Sequence, residues 1–265
     1  LANSIDDFSG RCEEVAGILS TDTDMNTVAV IDYGMGNLRS VSKALEHVSP
    51  RWWYASHRGF GFVRFISRVL EYISPRTRVK LTSNPEEIRR ADRVVFPGQG
   101  AIGGCIAALE SHGLRAALLE ATQTKPFLGI CLGLEALFEF SEEDGGVKGL
   151  GLLPGRVPLF PREKMRDTAG RPLKVPHMGW NQVHQVSPHP LWRGIPQDAR
   201  FYFVHSYYAD PGVPAHTMAT TDYGIKFASA CARQNMFAVQ FHPEKSQQAG
   251  LNLLANFIRW DGTDK

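Results

Sequence analysis

Lys125-Pro126-Phe127-Leu128-Gly129-Ile130-Cys131-Leu132-Gly133-Leu134-Glu135-Ala136-Leu137 reads as an apolar strand that turns through Gly-x-Cys-x-Gly into a helix. Such a turn lifts one side chain clear of a sheet, and glycines flank it because a Cβ there would meet the adjoining strand or helix. The run is a nucleophile elbow with Cys131 at its tip. At a helix N-terminus the dipole and the free N–H groups favour the thiolate. Later in the chain, Phe237-Ala238-Val239-Gln240-Phe241 reads as a buried strand leading straight into His242-Pro243-Glu244. Nucleophile, base and orienter are the ingredients of a Cys-His-Glu triad, in which His242 takes the thiol proton and Glu244 fixes the ring. Cys105 and Cys231 read as small buried hydrophobes.

Upstream of the elbow, Thr27-Val28-Ala29-Val30-Ile31-Asp32 is a β-branched run of parallel-strand type. Tyr33-Gly34-Met35-Gly36-Asn37 opens a helix to about Val48. Gly34 and Gly36 match the first two glycines of a dinucleotide fingerprint, but Arg39 takes the place of the third, so the turn is read without a cofactor. A strand over Arg78 to Thr82, a short helix over Pro85 to Arg90, a strand over Arg93 to Phe96 and helical patterns from Ile102 to Thr122 return the chain to the elbow. This alternation predicts an α/β fold with a doubly wound, mostly parallel sheet whose site lies at the carboxyl ends of the strands, with Gly34, Gly98 and Cys131. After Ser141 the pattern shortens to a smaller antiparallel set: Gly155 to Phe160, Asn181 to Val183, Phe201 to Tyr208, Thr217 to Thr220 and Ile225 to Cys231. A closing helix from Gln247 to Trp260 carries Leu251, Leu254, Phe257 and Ile258 at helical spacing.

With 265 residues, 43% hydrophobic and 21% charged, the chain is long enough for one well-buried core. A net charge of +2 gives no field for binding a polyanion, so nucleic acid is not implied. The four cysteines have neither CxxC spacing nor the density of a secreted scaffold, which points to reduced thiols in a cytoplasmic compartment, and no residues pattern as a metal site. No apolar run approaches the length of a membrane span.

Residues 1–24 read as a polar, disordered leader, 25–260 as one domain and 261–265 as a tail. Inside the domain, residues 51–75 read as an insertion, because Ser49-Pro50-Arg51 recurs as Ser74-Pro75-Arg76 and excision leaves a short loop. The segment sets seven aromatic side chains among four arginines, a mixture found in nucleic-acid stacking surfaces and membrane-surface helices. The modest whole-chain charge favours a small helix packed outside, far from Cys131.

Gly129-Ile130-Cys131-Leu132-Gly133 with His242-Pro243-Glu244 is similar to the class I (triad) glutamine amidotransferases, whose cysteine attacks the glutamine side-chain amide, releases ammonia and forms a glutamyl thioester. Asp32-Tyr33-Gly34-Met35-Gly36-Asn37, Pro97-Gly98-Gln99-Gly100-Ala101, His177-Met178-Gly179-Trp180-Asn181 and Phe203-Val204-His205-Ser206-Tyr207 narrow the likeness to the glutaminase subunits of imidazole glycerol phosphate synthases, over Met25 to Trp260. The resemblance implies Cys131, His242 and Glu244 as the triad. It implies oxyanion donors at Leu132 and in the loop Gly98-Gln99, and glutamine contacts at Gly100, Glu135, Ser206 and Tyr207. Asn37, Trp180, Tyr202 and Lys245 would lie toward an ammonia exit and a (β/α)8-barrel cyclase partner. No cofactor is implied. Taken from the residues alone, Trp180 and Tyr202 read as core and Lys245 as a surface charge. Glu135 stands where the family often carries glutamine; a fixed carboxylate there opposes the substrate carboxylate or accepts from its ammonium. That departure keeps open an impaired, regulatory amidotransferase-like protein, beside another class I amidotransferase subunit, against which the His177 to Trp180 run argues.

Overall fold

The computed structural model describes residues 26–34, 38–49 and 77–263. The leader, the 51–75 insertion and Asn37 lie outside the described residues. Four parallel strands, β1 (Asn26–Ile31), β2 (Thr77–Thr82), β3 (Arg93–Gly98) and β4 (Phe127–Cys131), alternate with helices Leu38–Val48, Pro85–Arg90, Ile102–Ser111 and Arg115–Thr124. The chain continues through β5 (Phe138–Ser141), β6 (Val147–Lys148), β7 (Leu153–Val157), β8 (His177–Gln182), β9 (His184–Gln185), β10 (Arg200–His205), β11 (Asp210–Pro211), β12 (Thr217–Tyr223), β13 (Ile225–Arg233) and β14 (Met236–Val239), and closes with helix Gln247–Arg259.

The main sheet runs in the order β2-β1-β3-β4-β14-β13-β12-β9, parallel from β2 to β14 and antiparallel beyond. Two smaller sheets, β11-β7-β5-β6 and β10-β8, come from the C-terminal half. This is the doubly wound α/β sheet with an accessory strand set that the strand and helix pattern predicts.

Side-chain alternation divides the core between the two faces of the sheet. Val28, Val30, Leu128 and Ile130 pack with Leu45, Leu254 and Phe257 on one face, while Val94, Phe96 and Phe127 pack with Leu109 and Leu118 on the other. Helix Pro85–Arg90 is specified locally: Asn84 caps it by accepting from the Glu86 N–H at 2.9 Å, proline follows, and acidic and basic residues occupy the first and last turns. The helical patterns expected from Ile102 to Thr122 form two helices, Ile102–Ser111 and Arg115–Thr124. The break between them falls at Gly113, whose φ of 65° no helix continues. No helix among the described residues is long and apolar enough to cross a membrane.

Candidate active site

Cys131 ends β4 with φ 54° and ψ −111°, a backbone state costly for any residue with a Cβ. Its neighbours explain how the turn is tolerated. A Cβ on Gly133 would stand 1.9 Å from the Phe96 carbonyl oxygen, and one on Gly129 would stand 3.0 Å from the Ala238 Cβ. The glycines therefore let the elbow pack directly on β3 and β14. The helix that follows is a single turn, Leu132–Glu135, so it contributes little macrodipole.

In the register of β3 and β4, Gly98 is the partner of Cys131, which brings the Gly98-Gln99-Gly100 loop alongside the sulfur. The Leu132 N–H is directed at Cys131 and favours its thiolate. Burial outweighs it: desolvation, then the Glu135 and Glu244 carboxylates, push the thiol well above its usual range. The expected help to the thiolate from a free N–H is present at Leu132, but desolvation of the buried sulfur outweighs it. The thiol faces the Val204 carbonyl oxygen at 4.0 Å.

His242 and Glu244 sit on the turn after β14. His242 Nδ1 donates to Glu244 Oε1 at 2.9 Å, with the two side chains 2% and 1% exposed. That bond fixes the tautomer and leaves Nε2 with no partner among the described residues. Ser246 holds the turn, its hydroxyl donating to the His242 carbonyl at 2.6 Å and accepting from the Tyr202 N–H at 2.9 Å. The His242 N–H in turn donates to the Tyr202 carbonyl at 2.9 Å.

A cavity of about 430 Å³ opens over these groups, lined by Cys131, Leu132, His242, Gln99, Gly100 and Glu135, and across from them by Tyr202, Ser206, Tyr207 and Lys245. Most residues singled out in the sequence therefore meet at one place. Glu135 is buried in the wall, its Oε1 accepting from Gln240 Nε2 at 2.7 Å. Burial, reinforced by Glu143 and opposed by the Gln240 bond, raises its carboxyl to about 7.

Trp180 and Tyr202 are not core. Trp180 is 38% exposed on β8, edge-on to Tyr202 with ring centroids 6.2 Å apart, beside Met178 at 62% exposed. Lys245 Nζ lies 5.9 Å from the centroid of the Tyr202 ring. Cys105 and Cys231 are fully buried free thiols pushed to about 12 by desolvation, as expected of small hydrophobes.

Glu143 and Pro176 also line the cavity and were not singled out, as do Val204 and His205, which were quoted in the run Phe203 to Tyr207 but given no role. Glu143 accepts from the Ile102 N–H at 2.7 Å, and burial raises its carboxyl. The acidic run Glu142-Glu143-Asp144 is its only mark in the sequence.

Residues 59–260 match the family model for class-I glutamine amidotransferases. The chain is 54% identical to the imidazole glycerol phosphate synthase subunit HisH of Aromatoleum aromaticum, over 89% of this chain and 99% of that one. It is 53% identical to the HisH subunit of Nitrosococcus oceani, over 90% and 99%. Among solved structures, a glutamine amidotransferase superposes with a TM-score of 0.57 at 13% identity, covering 88% of this chain and 99% of that chain. The glutaminase domain of Trypanosoma brucei CTPS superposes at 0.53 with 15% identity, covering 91% and 97%. These two distant likenesses speak for the fold. The relatives decide the family: the chain belongs to the class-I glutamine amidotransferases and, within them, to the HisH subunits of imidazole glycerol phosphate synthase.

Proposed function

We propose that the chain hydrolyses glutamine at Cys131 and passes the ammonia to a (β/α)8-barrel cyclase, which forms imidazole glycerol phosphate and aminoimidazole carboxamide ribotide in histidine biosynthesis. The two subunits act as a cytoplasmic heterodimer in which the cyclase carries the lyase step; neither nucleic acid nor membrane takes part. The observation that carries this reading is His242, held by buried Glu244 and with no Nε2 partner among the described residues, on the cavity wall that also holds Cys131.

In the forward step His242 Nε2 takes the thiol proton, and the sulfur attacks the side-chain carboxamide of glutamine. The Leu132 N–H and a peptide N–H of the Gly98-Gln99-Gly100 loop stabilise the tetrahedral oxyanion. Protonated His242 then returns the proton to the departing nitrogen, giving ammonia and a glutamyl thioester. Water, deprotonated by the same imidazole, attacks the thioester and releases glutamate and the thiol. Glu244 keeps the ring in one tautomer and stabilises its charged form. Glu135, Glu143, Ser206 and Tyr207 hold the amino-acid end of the substrate, while Trp180, Tyr202 and Lys245 border the exit toward the cyclase.

The test is Cys131→Ala assembled with the cyclase. Glutamine-dependent product formation is expected to disappear while formation from added ammonium continues. Loss of both in an assembled complex would overturn the division of labour.

A further inference from the structure

β8 and β10 form a two-stranded ribbon apart from the main sheet, with His177 directly opposite His205. Both histidines are buried, at 2% and 6% exposure. The His177 ring stacks between Tyr223, with centroids 3.9 Å apart, and Phe203, at 4.8 Å. His205 lines the cavity, and neither ring has a carboxylate partner among the described residues.

Their hydrogen bonds allow one arrangement of protons. His205 Nδ1 lies 2.7 Å from the Tyr207 carbonyl oxygen, which can only accept, so Nδ1 carries the proton. Burial lowers His205 to about 3, against the pull of its bond to the Tyr207 carbonyl, and lowers His177 to about 4, so both rings are neutral. His205 Nε2 must then accept, and His177 Nδ1, 3.0 Å away, donates to it. That leaves His177 Nε2 to accept from Asn181 Nδ2 at 3.3 Å, while the second amide proton goes to the Asp222 carbonyl at 2.9 Å. The bonds run with a single polarity from Asn181 to the Tyr207 carbonyl.

We propose that His205, backed by His177, is a positioning residue for the glutamine subsite: the run of bonds fixes the Tyr207 carbonyl, and with it the Tyr207-Tyr208 peptide that follows the cavity-lining Ser206 and Tyr207. The inference rests on the glutaminase reading above and assigns a role to the buried inner face of a ribbon whose outer face carries exposed Met178 and Trp180. The Phe160 N–H on the Ser206 carbonyl at 3.0 Å and the Tyr208 N–H on the Pro158 carbonyl at 3.1 Å keep the segment in place, so with the proton gone from position 205 it is the Tyr207 carbonyl that is released, under the substrate rather than under the sulfur.

The effect is therefore expected in binding. In the complex with the cyclase, His205→Leu should raise KM for glutamine about tenfold or more with kcat changed less than about threefold. His205→Asn, whose amide N–H takes the place of the ring Nδ1–H, should restore KM to within about threefold of wild type. The ammonium-dependent reaction should persist in both, and it reports separately on assembly. An unchanged KM in His205→Leu, or a fall confined to kcat, would overturn the proposal. Independently of activity and of any variant's folding, 15N NMR of the wild-type chain should show His177 and His205 as neutral Nδ1–H tautomers from about pH 5 to pH 8. An Nε2–H or charged His205 would contradict it. Wild-type chain that shows these tautomers but hydrolyses no glutamine with the cyclase would defeat the glutaminase reading instead.

Discussion

Glu135 stands four positions past the nucleophile, and its carboxyl is one whose charge the solvent pH decides. An unfolded glutamate ionises near roughly 4.3, whereas this buried carboxyl keeps its proton to about 7. The folded chain binds a proton that the unfolded chain has released, so this contribution to stability is full below the unfolded value and is lost as pH rises through about 7. Glu135 is thus not a fixed negative charge. Once ionised, it adds to the forces holding Cys131 protonated. Glu135→Gln should therefore make Cys131 alkylate severalfold faster with iodoacetamide at pH 8, with the two rates converging below about pH 6. Equal rates at pH 8 would show that the two groups do not communicate. The strain at Cys131 itself predicts an inverted substitution order: at φ 54° and ψ −111°, Cys131→Gly should be more stable than Cys131→Ala by about 1 kcal/mol in denaturant titrations.

The elbow was legible as an element because its glycines answer to packing that leaves no choice. Gly133→Ala should cost about 3 kcal/mol or more, since the added methyl meets the rigid backbone of β3. Gly113→Ala should cost only about 1 kcal/mol, since its surroundings are open and only its φ of 65° is strained. Denaturant midpoints of the two variants separate steric need from conformational need. The strands β1, β3, β4 and β14 were legible as well, because burial on both faces writes them as continuous apolar runs. β6, β9 and β11 have two residues each, too few to show a period, and exist because a neighbouring strand pairs them. β8 was read only from Asn181 onward: half of its residues face away from the core, and Gly179 interrupts the pattern. The three residues proposed as the triad stood out because each ends or follows an apolar run. Glu143 enters the site through a turn whose position is set by tertiary packing, which leaves no local spacing to read; the strand holding His205 was read, but its contacts with His177 and Tyr207 depend on the pairing with β8.

Across the whole molecule, the site brings Cys131 and His242 to one cavity without a hydrogen bond between them. The Cys131 thiol faces the Val204 carbonyl, and His242 Nε2 has no partner among the described residues. Val204 lies on β10, whose partner strand β8 carries the exposed Met178 and Trp180. A cyclase seated on that face would bear on the strand that holds the thiol. The isolated chain should therefore release glutamate slowly, and addition of the cyclase should accelerate it by roughly a hundredfold. If that exposed face seats the cyclase, Trp180→Ala should weaken the complex about tenfold or more by calorimetric titration, as for a large aromatic anchor in an interface. The central claim, that Cys131 opens glutamine, is tested most directly by labelling the complex with a diazoketone analogue of glutamine and mapping the adduct by peptide mass spectrometry. The account predicts one label per chain on Cys131, with glutamine-dependent activity lost in proportion and ammonium-dependent activity retained. A label on Cys105 or Cys231, or full glutamine-dependent activity in chains labelled at Cys131, would contradict it.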